Sequence, residues 1–123
     1  MNLTVAHLLA LLAMLLTVLS LNVSRLRLKY GVSYGDDGHR ELTVAIRAHG
    51  NALEQSLLFA VLVLALHNQA TGEAALLAWL GAVFVLARVV HALAMFQRWL
   101  RLRQLAHVTS LLAQLTAAGM LLR

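Results

Sequence analysis

The sequence predicts an all-α integral membrane protein, a four-helix bundle formed by one transmembrane domain over residues 1–123. Composition is the first reason: apolar residues make up 61% and charged residues 12% of the chain, against roughly 45–50% and about 25% in soluble domains. Patterning is the second. The apolar residues gather into four stretches without strand-like alternation, and a helix of about 20 residues rises roughly 30 Å, enough to cross a hydrocarbon core. Cysteine and proline are absent, which excludes a disulfide framework or a thiolate metal site and removes proline as a cause of kinks.

The first span covers Leu3–Val23. No cation precedes Arg25, and the apolar run exceeds the roughly 7–15 residues of a secretory h-region, so it reads as a span rather than a cleaved signal. The following segment carries Arg25, Arg27, Lys29 and Arg40, with turn signals at Gly31, Gly35 and Asp36-Asp37-Gly38. Asp36, Asp37 and His39 suit a solvated turn better than a metal site. Span two is Leu42–Leu66, followed by a short turn, His67–Glu73, that holds neither Lys nor Arg. Gly72 breaks that turn, and Glu73 favours the positive N-terminal end of span three, Ala74–Phe96. Arg98, Arg101 and Arg103 then lead into span four, Leu105–Leu122. Seven cations thus lie on one side and Arg123 on the other. The positive-inside rule places the basic loops in the cytoplasm and both termini outside. A net charge of +5 in a soluble domain would suggest nucleic acid; distributed this way it is a topological signal, and no nucleic-acid partner is expected.

Removing the loops leaves three ionised residues inside the spans: Arg47, Glu54 and Arg88. Each costs at least ~2.5–3.5 kcal/mol at the bilayer centre, so each is expected to face a partner or a wet cavity. Arg47, Asn51 and Glu54 follow i, i+4, i+7 on one face of span two, and Arg88 and His91 follow i, i+3 on span three. Both sets fall at one depth, roughly 8–18 Å below the cytoplasmic boundary. One reading is structural: Glu54 pairs with Arg47 or Arg88, and Asn51 and His91 are hydrogen-bonding glue. Against it stands the surplus of cation, since a structural network tends towards neutrality. Two intramembrane Arg oppose one Glu, which points to an anionic guest. Arg forks take carboxylates, Glu54 takes an ammonium, and a nearby Arg stabilises a thiol's anion.

The remaining polar residues carry less. His7 and His107, near span ends, read as interfacial, and His49 has no assigned role. Thr109, Ser110, Gln114 and Thr116 satisfy themselves within the bundle, with Ser110 or Gln114 as alternative cavity residues. Tyr30, Tyr34, Trp79 and Trp99 suit the membrane interface. Gly-rich phosphate loops, HExxH and GxSxG are absent.

The segment Arg47-Ala48-His49-Gly50-Asn51-Ala52-Leu53-Glu54 resembles the R-x-x-x-N-x-x-E signature of the membrane-associated proteins in eicosanoid and glutathione metabolism, the MAPEG family. Ala87-Arg88-Val89-Val90-His91 is similar to that family's R-x-x-H segment, and Arg25-Leu26-Arg27 and Leu112-Ala113-Gln114-Leu115 match in order and spacing. The stretch from Arg25 through Tyr34-Gly35-Asp36 to Arg47 looks most like a small bacterial branch, which implies the bacterial inner membrane. The resemblance implies a homotrimer with glutathione as co-substrate between subunits near the cytoplasmic side and no metal. It implies that Arg25, Arg47, Asn51, Glu54, Arg88 and His91 bind glutathione. Arg103, or as second choice Arg101, would stabilise the thiolate. Gly50 stands where some members carry Arg, Gln55 where many have an aromatic, and Met95 where several have a Tyr.

The function expected is a glutathione-dependent membrane transferase or peroxidase acting on small lipophilic electrophiles that arrive through the bilayer. The alternatives are a non-catalytic binding or assembly protein of the same fold, and a small proton-coupled drug exporter working through Glu54. The exporter fits less well, because the carboxylate lies on span two and the charge bias opposes dual topology.

Overall fold

Leu and Ala are strong helix formers, and Arg and Lys are nearly as good, so helix need not stop where apolarity does. The computed structural model describes residues 4–69 and 74–123. Its described elements are four α-helices: α1 Val5–Tyr30, α2 Arg40–Asn68, α3 Ala74–Gln97 and α4 Leu100–Leu121. The expected start of span one at Leu3, the break at Gly72 and the cap at Glu73 lie outside the described residues.

Two boundaries differ materially from the apolar spans. Helix α1 runs past Val23 through Arg25, Arg27 and Lys29, and ends only at Gly31, whose left-handed φ of 65° lets its N–H reach the Arg27 carbonyl. Helix α4 begins at Leu100 rather than Leu105, so Arg101 and Arg103 stand on the helix and not in a loop. The junction before it is two residues long. Arg98 adopts φ 59°, and the Trp99 N–H donates to the Ala94 carbonyl at 2.9 Å, a Schellman closure built on arginine instead of glycine.

Three helices, α1, α2 and α3, are long and apolar enough to cross a membrane. Helix α4 does not meet that standard, because its cations and amides dilute the apolar run. In packing, α1 lies against α2 and α3, and α4 lies against the same two. The α2–α3 pair is therefore the spine. Distal to the basic segments it is dry: Leu8, Leu12, Phe59, Val63, Phe84 and Ala117 form one buried cluster, with Phe59 and Phe84 stacked at 3.9 Å between ring centroids. Gly81 permits the close approach of α1 to α3, since a Cβ there would stand 3.0 Å from both Leu8 methyl groups.

At the other end, the α1–α2 connection is tied by charge and hydrogen bonds over a small core of Leu26, Val32, Leu42 and Ala45. Arg27 donates to the Gly35 carbonyl at 2.8 Å. Glu41 accepts from Lys29 at 3.0 Å and from the Tyr30 hydroxyl. Asp36 accepts from the Thr43 hydroxyl at 2.6 Å and the Gly38 N–H at 3.1 Å. These donors hold the Asp36 carboxyl below the usual carboxylate range, the Thr43 hydroxyl most strongly and the Gly38 N–H next.

Candidate functional site

Between the dry core and the basic segments lies a polar layer. The Arg88 side chain is wholly buried at its centre. Its Nη2 donates to Asn51 Oδ1 at 2.6 Å and its Nη1 reaches Ser110 Oγ at 3.4 Å, while Nε has no partner. On the same level, the Gln114 amide nitrogen donates to the Gln55 carbonyl at 3.0 Å, joining α4 to α2. Among the described residues no ion pair joins Glu54 to Arg47 or Arg88. The structural pairing considered from sequence is thus not formed; Arg88 is held by a neutral amide instead.

Opening from this layer is a cavity of about 540 Å³, lined by Arg47, Gly50, Asn51 and Glu54 of α2, His91 and Met95 of α3, and Arg103, Gln104 and His107 of α4. Helical periodicity builds it. Positions 47, 50, 51 and 54 share one face, as do 91 with 95 and 103 with 107. Ala48, Ala52 and Ala92 on the same helices are buried, and a Cβ on Gly50 would meet nothing within 4 Å.

Five of the eight residues singled out from sequence line this cavity: Arg47, Asn51, Glu54, His91 and Arg103. Arg88 stands behind the wall and touches it through Asn51. Arg101 is exposed and outside the lining, which separates it from Arg103. Arg25 is also exposed; its guanidinium donates to Asn22 Oδ1 at 2.9 and 3.3 Å on its own helix.

Sequence reading did not single out Gln104, and it took His107 as interfacial and Met95 only as a departure from the family pattern. In the structure all three line the cavity, and the His107 ring stands 5.9 Å from that of His91. The signal that could have found His107 is its position four residues after Arg103, on the same helical face. Ser110 and Gln114 are buried in the polar layer rather than in the lining.

The arrangement suits a small polyvalent anion. Two guanidinium groups and one carboxylate face a space within the roughly 300–1,000 Å³ usual for small-molecule sites. A second cavity, about 740 Å³, lies at the opposite end near Thr4, Leu77 and Trp79. Among the described residues His67 is its titratable lining residue, and the convergent charges of the first cavity are absent.

The sequence profile of the MAPEG family matches residues 5–123. The chain is 39% identical over 92 residues to the inner membrane protein YecN of Escherichia coli (strain K12), covering 75% of this chain and 70% of that protein. The protein of the same name from Escherichia coli O6:H1 (strain CFT073) matches to the same extent, 39% over 92 residues. No solved structure matches the chain. With nearly its whole length covered by the family profile, and with its paired-helix polar motifs converging on one cavity, the chain belongs to the MAPEG family of membrane proteins.

Proposed function

We propose that the chain is a glutathione-dependent membrane transferase or peroxidase acting on lipophilic electrophiles. The observation that carries this reading is the cavity in which Arg47, Asn51, Glu54, His91 and Arg103 converge from three helices. Glutathione, as co-substrate, has the complementary groups: two carboxylates, one ammonium and a thiol. Arg47 and the Asn51 amide take a carboxylate, Glu54 takes the ammonium, and Arg103 holds the thiol as its anion. Because Arg88 donates to Asn51 Oδ1, the amide nitrogen of Asn51 is left as a donor for an anion. Arg88 therefore acts as a positioning residue for Asn51.

In this reading the protein is a homotrimer in the bacterial inner membrane, with its basic segments in the cytoplasm. Arg25, turned away from its own chain's cavity, reaches glutathione from a neighbouring subunit. The name of the Escherichia coli relatives supports the inner-membrane placement. The lipophile arrives laterally from the bilayer, which suits a site bordered by spanning helices.

The test is calorimetry with glutathione on the purified protein, joined to thiolate difference absorbance. Binding with a thiolate signal that is lost in Arg103→Ala and kept in Arg101→Ala is the expected result. No binding at millimolar glutathione overturns the proposal. Binding without a thiolate signal or turnover selects the non-catalytic reading instead.

A further inference from the structure

An arginine can stabilise a thiolate but cannot take its proton, because the guanidinium stays protonated at any pH the protein meets. If Arg103 serves the thiol, the proton passes either to water or to an acceptor in the same cavity. Three lining side chains can accept one: Glu54, His91 and His107. Glu54 comes from α2 and is exposed; in the proposed function it is committed to the ammonium. His91 is buried and stands one helical turn from the buried guanidinium of Arg88.

His107 differs from both. It lies four residues beyond Arg103 on one face of α4, where Cβ atoms are roughly 5–6 Å apart. It is half-buried at the cavity wall. Its Nδ1 is buried with no hydrogen-bond partner, and the same holds for His91, 5.9 Å away ring to ring. A neutral imidazole always carries one nitrogen lone pair. Because Nδ1 is shut away from the cavity, the acceptor is Nε2, with the ring proton on Nδ1; among the described residues no hydrogen bond engages Nε2.

We propose that His107 is the general base of the site, taking the thiol proton while Arg103 holds the resulting thiolate. The inference rests on the proposed function and adds a residue to it. The S–H bond breaks and an N–H bond forms on the imidazole. The thiolate pair then forms a bond to the electrophilic carbon as the bond to the leaving group breaks, and the imidazolium gives its proton to solvent. Thiol and electrophile become thioether, leaving anion and a released proton, and the histidine returns to its neutral state.

The experiment uses the full chain in micelles. It measures glutathione thiolate absorbance at neutral pH, turnover with a chlorodinitrobenzene, and calorimetric affinity for S-methylglutathione, which has no thiol proton. In His107→Gln the thiolate signal is expected to collapse and turnover to fall on the order of 100-fold, the usual worth of a general base. Affinity for S-methylglutathione should be unchanged. In His107→Ala, added imidazole should restore turnover. The proposal is overturned if His107→Gln keeps the wild-type thiolate signal, if Glu54→Gln loses it instead while still binding S-methylglutathione, or if His107→Gln also loses S-methylglutathione, which would make the residue structural. Failure of the wild type to bind glutathione removes the proposed function and this inference together; normal wild-type binding with an unaffected His107→Gln removes the inference alone.

Discussion

Replacing Asn51 by alanine should destabilise the bundle more than replacing Arg88 by methionine, although arginine is much the larger residue. The Arg88 guanidinium is wholly buried and has one short hydrogen bond, 2.6 Å to Asn51 Oδ1. Its contact with Ser110 at 3.4 Å lies beyond the usual range of roughly 2.7–3.2 Å for such a bond and contributes little. A hydrogen bond to a charged group is worth about 1.5–3 kcal/mol. Asn51→Ala removes it and leaves the charge in place, so a loss of about 2 kcal/mol follows, roughly 30-fold in the folded-to-unfolded ratio. Arg88→Met removes the charge itself. Apolar replacement of buried ionic groups is often neutral or stabilising, and Asn51, at the cavity wall, can turn its oxygen to water. The double variant should therefore resemble Arg88→Met, with a coupling near 2 kcal/mol in the mutant cycle. Unfolding by sodium dodecyl sulfate in mixed micelles measures all four corners. Additive single effects, or an Asn51→Ala variant as stable as wild type, would refute the assignment of Asn51 as the partner that makes the buried charge tolerable. Asn51→Asp separates stability from binding: it should restore stability by pairing with Arg88 while weakening anion affinity through its added negative charge.

Other consequences concern the ends of the helices. Asp36→Asn should loosen the α1–α2 connection at neutral pH, seen as faster amide exchange at Gly38. In the wild type the same loosening should appear only in acid. The folded carboxyl titrates below its ordinary value, so its contribution is complete above that value and is lost as pH falls through the folded one. Arg98→Gly should stabilise the protein by about 1 kcal/mol, since the left-handed φ of 59° carries a penalty of roughly 1–2 kcal/mol for a residue with a Cβ; a lower unfolding midpoint would contradict this. Because the chain has no cysteine, single replacements report topology without background. Ser33→Cys should react with an impermeant maleimide only from the cytoplasmic side and Asn68→Cys only from the opposite side; the reverse pattern overturns the orientation.

The helical class was legible because a bilayer demands it: stretches of about 20 apolar residues have few other uses. Helix ends were less so, for a physical reason. Apolarity reports where lipid is, whereas helix continues as long as backbone propensity and packing allow. Arg25, Arg27 and Lys29 all favour helix, and Leu26 among them is buried, so α1 continues to the glycine that stops it. The start of α4 was hidden by the lack of a cap signal. Trp99 offers no side-chain capping bond, and Arg98 stands where glycine or asparagine would have announced the turn.

The charges of the site were legible through their spacing, since residues three, four and seven apart on α2 must share a face. What spacing cannot give is which polar groups meet across helices. Arg88 and Glu54 look like natural partners on charge alone, yet Arg88 turns behind the wall to Asn51 and Glu54 remains in the cavity. This division has a consequence for binding. A buried cation held by a neutral amide leaves the cavity carboxylate unspent, and the two lining arginines keep their charge available to an anion. Had Arg88 paired with Glu54, the ammonium subsite proposed above would be lost and one cation neutralised. In that proposal the Asn51–Arg88 bond keeps a structural charge from consuming the cavity carboxylate, and it places the distinction between scaffold and site on one side chain.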